Sequence, residues 1–163
     1  MNPSTDLLRG TSVVSDARQP PHQVMCFRLA GQDYAVDILQ VKEIRRFTAT
    51  TALPDVPSYM LGVINLRGTV VPVFDLRMRF SIGDTTIDRN TAIIVVTVGA
   101  RNVGLVVDEV TRVLNVSPEM LRPTPPLAGA VDTSFLLGLF DAGERLITWL
   151  DVPRLLRSDL EVT

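Results

Sequence analysis

Three residue types that carry reactive side chains are nearly missing from this chain. Its 163 residues hold one cysteine, Cys26, one histidine, His22, and one lysine, Lys42. A lone cysteine excludes a disulfide within the chain, which agrees with a reducing compartment. A zinc site takes about four Cys, His or carboxylate ligands, so a His/Cys metal centre is excluded. Aromatics make up only 6% and the net charge is −2, which argues against a base-stacking surface and against the dense positive footprint that nucleic acid demands. Long apolar runs are absent as well. The longest β-type run, Ala92–Val98, is far short of the roughly 20 residues that span a bilayer. The chain opens without a basic stretch followed by an apolar run, so no signal peptide is read and a cytoplasmic location is expected, with no direct membrane insertion.

Catalytic chemistry is equally sparse. No GxxxxGK or GxGxxG occurs, so a nucleotide cradle has no support and no cofactor is expected. With one histidine and one lysine, general acid–base work falls on carboxylates. The tempting acids are Asp37, Asp75, Asp108 and Asp151, each at the end of an apolar β-type run. Helix N-capping explains at least three of them without any chemistry. The expectation is a protein that is not an enzyme. Cys26 lies in an alternating apolar run and reads as a small buried hydrophobe.

What the sequence does contain is β-structure. Hydrophobic residues reach 46%, enough to fill a core. The organising stretch is Leu61–Phe80, LGVINLRGTVVPVFDLRMRF. Two apolar runs flank Arg67-Gly68, the pattern of a hairpin with an arginine at its tip. Pro72 lacks an amide donor and calls for an edge or bulge position. Residues 1–22 read as a flexible tail. A first hairpin follows through Val24–Leu29 and Tyr34–Val36, then a capped turn after Asp37. Glu43–Phe47 reads as extended, with Ile44 inward and its charged neighbours outward. Leu53–Pro57 and Ser81–Asn90 read as loops, and Pro123–Pro126 as a linker-like loop. Thr91–Val98 reads as a strand buried on both faces, turning back into Val103–Val107 and then Val110–Val116. Phe135–Phe140 and Arg145–Leu150 form a last hairpin, and Asp151 caps a short helix with Pro153 in its first turn.

The chain also repeats itself. LGVINLRGTVVPVFDLRMRF resembles Leu137–Arg157, LGLFDAGERLITWLDVPRLLR, and 13 residues separate both Gly62 from Asp75 and Gly138 from Asp151. Upstream, Tyr-Ala-Val-Asp37 resembles Leu-Val-Val-Asp108. Two copies of one small β-unit, folded as two small barrels packed together, are expected, with residues 23–163 forming one domain whose two subdomains interleave in sequence.

YAVDILQVKEIRR, GVINLRG…VPVFDLR and VGLVVDEVTRVL together resemble the CheW-type chemotaxis coupling proteins, over roughly Gln23 to Leu156. The resemblance implies a mostly β fold of two five-stranded barrels side by side, with short helices. It implies a non-catalytic scaffold that links the cytoplasmic tips of chemoreceptors to the regulatory domain of the histidine kinase CheA, with other copies of the chain in rings and with recruitment to membrane-associated arrays. An adaptor of a non-swimming chemosensory pathway, controlling twitching or a second messenger, is the alternative. Carried over, the receptor-facing positions are Val41, Glu43, Gly62, Arg67, Gly104 and Val113. Five of them have a plainer reading: core for Val41 and Val113, backbone geometry for Gly62 and Gly104, a solvated turn for Arg67. The apolar hairpin residues Leu137, Leu139 and Phe140 are the kinase-facing candidates.

Overall fold

The computed structural model describes residues 22–123 and 135–161. The tail expected over 1–22 therefore lies outside the described residues except for His22, as does the loop after Pro123. The strands are β1 (His22–Leu29), β2 (Gln32–Asp37), β3 (Val41–Arg46), β4 (Met60–Leu66), β5 (Thr69–Asp75), β6 (Ala92–Val98), β7 (Arg101–Val107), β8 (Glu109–Val116), β9 (Leu121–Arg122), β10 (Leu136–Asp141) and β11 (Leu146–Leu150). Short helices α1 (Leu76–Arg79) and α2 (Val152–Leu155) follow strand ends, and α3 (Arg157–Glu161) follows α2. Asp37, Asp75 and Asp151 each accept a hydrogen bond from a backbone N–H of the turn they open, at 2.9, 2.9 and 3.2 Å.

The fold is mostly β, as expected, in two sheets. One has six strands in the order β8-β1-β2-β11-β10-β9, the other five in the order β3-β6-β7-β5-β4. In each sheet a parallel pair, β2 with β11 and β5 with β7, joins strands from the two copies of the repeat. Both copies carry a bulge at the matching glycine, Gly62 and Gly138. Neither sheet closes into a full barrel ladder. The five-stranded sheet comes nearest: past β3, Thr51 makes one antiparallel bridge to Val63 on β4. Pro54 and Pro57, which have no N–H to donate, follow directly and end the pairing.

Three apolar clusters hold the sheets. Val24, Cys26, Phe140 and Trp149 belong to a small core of the six-stranded sheet. Ile64, Val73, Ile93 and Val106 belong to a small core of the five-stranded sheet. The largest cluster, with Phe27, Leu29, Phe74, Ile94, Leu105 and Leu155, mixes residues of both sheets. This explains the double-sided burial of β6: Ile93 and Val95 serve the small core, while Ile94 and Val96 serve the shared one. Burial at roughly 25 cal/mol per Å² of apolar surface makes that shared core the main glue between the sheets.

Two local expectations change. Ile44 points outward and is 42% exposed, while Glu43 and Arg45 are half-buried. The cause is a bulge between Val41 and Glu43. Val41 lies opposite Val96 and packs on the shared core, whereas Glu43 lies opposite Val95, whose side chain belongs to the other core. One extra residue thus moves Glu43 to the opposite side of the sheet from Val41. Pro72 sits on an interior strand rather than an edge. It pairs with Val63 on one side, and on the other the ladder to β7 begins only at Val73.

Candidate functional site

The β4–β5 turn places the arginine singled out by the sequence. Arg67 and Gly68 have φ of 50° and 89°, the double positive pair of a type I′ turn. The Asn65 side chain accepts from the Gly68 N–H at 2.8 Å and locks the turn. Arg67 is held out to solvent with its side chain 67% exposed. Its guanidinium donates from Nη2 to Glu43 Oε1, and Arg45 Nη1 lies 3.6 Å from the other carboxylate oxygen. The hydrogen bond from Arg67, helped by the charges of Arg67 and Arg45, holds the Glu43 carboxyl below the usual glutamate range. The same bond pushes the Arg67 guanidinium up. An exposed hairpin tip and the edge strand β3 are therefore joined by charge.

The remaining candidates fall into different settings. Val41 is half-buried against the shared core. Gly62 is buried, with φ at 135°, and a Cβ there would meet Thr51 O at 2.0 Å. It is the residue that lets the Thr51 bridge approach. Gly104 is buried on β7, where a Cβ would meet Ile93 Cγ2 at 2.9 Å and Val73 Cγ2 at 3.3 Å. Val113 is 44% exposed on the edge strand β8, in the other sheet. Five of the six residues thus belong to the five-stranded sheet, and Val41, Glu43 and Arg67 keep accessible surface there.

Phe140 has no exposed surface and meets Trp149 edge-on, with ring centroids 6.3 Å apart. Phe140 is thus a core residue, while Leu137 and Leu139 of the same hairpin are half-buried, Leu137 packing against the small core. Cys26 is 2% exposed, and burial pushes its thiol up to about 11, leaving it protonated at neutral pH. Among the described residues no cluster of three or more His, Cys, Asp or Glu is arranged to hold a metal ion. Nor is any described helix long and apolar enough to cross a membrane.

Sequence reasoning missed Arg77. It sits on α1 and looks like an ordinary basic residue of a short helix, yet it is 1% exposed. Its Nε and Nη2 donate to both oxygens of Asp75 at 3.0 and 2.9 Å. Its Nη1 donates to Asp108 Oδ1 at 2.9 Å and to Thr86 O at 2.8 Å. The sequence showed that Asp75 and Asp108 recur at strand ends; that their strands are parallel neighbours sharing one buried cation appears only in the structure.

A two-sheet β scaffold built from an interleaved repeat, with an exposed hairpin-tip arginine paired to an edge strand, is also what the comparisons find. Residues 23–160 match the family model described as a CheW-like domain. The chain is 40% identical over 137 residues to the chemotaxis protein CheW of Klebsiella aerogenes, covering 84% of this chain and 82% of that one. It is 37% identical over 142 residues to a probable chemotaxis protein CheW of Rhizobium etli, covering 87% and 92%. The scaffolding protein TtCheW of Thermoanaerobacter tengcongensis superposes with a TM-score of 0.77 at 32% identity, over 83% of this chain and 92% of that one. The chain belongs to the CheW-like family.

Proposed function

We propose that this chain is a non-catalytic cytoplasmic adaptor that couples the tips of chemoreceptors to the histidine kinase CheA, and is recruited with them to membrane-associated arrays. The family supports the reading, and one observation of this chain carries it: the exposed Arg67 joined to Glu43 across the hairpin tip and the edge strand. A receptor helix meets Arg67 and Glu43, with Gly62 and Gly104 shaping the backbone beneath them, and the accessible part of Val41 adds apolar surface from the other side of β3. Val113 extends the contact onto the second sheet. Leu137 and Leu139 offer apolar surface to the kinase regulatory domain, and further copies of the chain join the ring. No bond is made or broken. A coupling free energy of about 1–3 kcal/mol between the two docking events is enough for control.

The test is reconstitution of kinase and receptor with and without the chain. Receptor-controlled autophosphorylation is expected only when the chain is present; equal control without it overturns the reading. Arg67→Ala and Glu43→Lys are expected to weaken that control while the melting temperature stays near the wild-type value, because Arg67 is exposed and Glu43, on an edge strand, pairs only with side chains that keep accessible surface.

A further inference from the structure

A cavity of about 350 Å³ opens at one end of the small core of the six-stranded sheet. Its floor is apolar: Cys26 and Ile147 belong to that core and are each 2% exposed. Its walls are charged, and the register puts them on one face of the sheet. Arg28, Asp33 and Arg145 each stand two residues from a small-core residue, Cys26, Ala35 and Ile147 respectively. Arg112 on β8 lies opposite Cys26, two residues before Leu114, which packs on the same core. Strand side chains alternate between faces, so all four point to the side that Cys26 and Ile147 occupy.

The charges of this cavity do not balance. Asp33, 9% exposed, accepts from Arg28 Nε at 3.2 Å and from Arg145 Nε, so one carboxylate serves two guanidiniums. Arg112 has no ion-pair or hydrogen-bond partner among the described residues. Burial is the main influence on the Cys26 thiol and the Arg112 charge the next, which agrees with a guanidinium aimed at the cavity. Glu109, opposite Arg28, is the other charged lining residue and has no ion-pair partner among the described residues. Three arginines therefore face two carboxylates, and Arg112 is the cation left over. Thr111, the extra residue of the bulge beside Cys26, adds a hydroxyl to the same lining.

One negative charge restores the balance. A planar carboxylate matches the guanidinium fork with two parallel hydrogen bonds. The apolar floor calls for a ligand with an apolar body behind that head, and the volume lies within the roughly 300–1,000 Å³ of small-ligand cavities. A bare inorganic ion leaves Cys26 and Ile147 uncovered, and a polyanion meets the Glu109 carboxylate. We infer that this cavity binds a small monocarboxylic acid, with its carboxylate on Arg112 and its apolar body over Cys26 and Ile147. The site lies in the other sheet from the Arg67–Glu43 tip and does not rest on the adaptor reading.

The experiment titrates the full chain with benzoate at low salt, followed by NMR, with benzamide as the neutral counterpart. Saturable shifts at Cys26, Thr111, Arg112 and Ile147 are expected with benzoate and not with benzamide. Arg112→Gln is expected to weaken benzoate binding about tenfold, and Arg112→Lys, which keeps the charge without the fork, by less. Glu109→Gln removes a repelling charge and is expected to tighten binding about threefold. Arg28 and Arg145 are left in place, because changing either takes a partner from the buried Asp33. Equal affinity for benzoate and benzamide, shifts that do not saturate, or unchanged affinity in Arg112→Gln overturns the inference. So does inorganic phosphate that binds more tightly than benzoate with the same dependence on Arg112, which makes this a site for bare oxyanions. If a blocked peptide, acetyl-Val-Glu-Val-amide, binds through Arg112 while benzoate does not, the cavity is a protein contact and the inference falls.

Discussion

Arg77 Nη1 lies 2.9 Å from Asp108 Oδ1, and the other oxygen of Asp108 accepts from the Ala30 N–H at 2.7 Å. Through this pair the buried end of α1 is tied to the end of β7 and to the β1–β2 turn of the other sheet. Asp75, itself 1% exposed, depends on the same guanidinium for its charge balance. Arg77→Met is expected to cost about 3–5 kcal/mol in urea unfolding, because it strands a buried carboxylate. Arg77→Lys keeps the charge without the planar fork and falls between that variant and the wild type. Asp108→Asn, at a position 34% exposed, is expected to cost about 1 kcal/mol. A loss for Arg77→Met no larger than that of Asp108→Asn contradicts this account.

Glu43 predicts a pH dependence of known sign. Its folded carboxyl titrates below the unfolded one because Arg67 donates to its charged form. Whatever the ion pair adds to the closed tip is therefore complete above the ordinary glutamate range and is lost as the pH falls through the lowered folded value. A carbon-detected NMR titration is expected to place Glu43 below the ordinary glutamate range, and Arg67→Ala to raise it toward that range, with Arg45 still holding it down in part. An unchanged midpoint in Arg67→Ala means that the pair does not persist in solution.

Gly62 and Gly68 both have positive φ but different surroundings. A methyl group at Gly62 collides with Thr51 O, while nothing lies within 4 Å of the same atom built at Gly68. Gly62→Ala is expected to destabilise by about 2 kcal/mol or more, from strain plus collision, and Gly68→Ala by about 1 kcal/mol, from strain alone. Thermal unfolding separates them. Receptor binding lost by Gly62→Ala only in proportion to its unfolded fraction assigns Gly62 to backbone geometry; loss by a fully folded variant assigns it to contact.

Much of the fold was legible in the sequence because its signals are local. Alternation marked β1 and β8, the β-branched run marked β6, and Arg67-Gly68 marked the central turn. Asp37, Asp75 and Asp151 announced the turns they cap, since capping needs only an acceptor beside free N–H groups. Ile44 misled because its side of the sheet is set by a bulge, which is a pairing event with β6 and leaves no mark in β3 alone. Phe140 looked like a partner contact for the same reason. An apolar hairpin reads alike whether its face meets solvent or Trp149.

The order of residues by itself determined the strands, the turns, the doubled unit and the scarcity of reactive side chains, because each is written within a few neighbouring positions or in a spacing that recurs. Only the tertiary structure decided which copy lends strands to which sheet, that Arg77 is buried between two aspartates, and that Arg112 shares a cavity with Arg28 and Arg145. Those outcomes depend on register and on contacts between residues far apart in the chain, where an arginine is worth whatever its distant neighbours make of it.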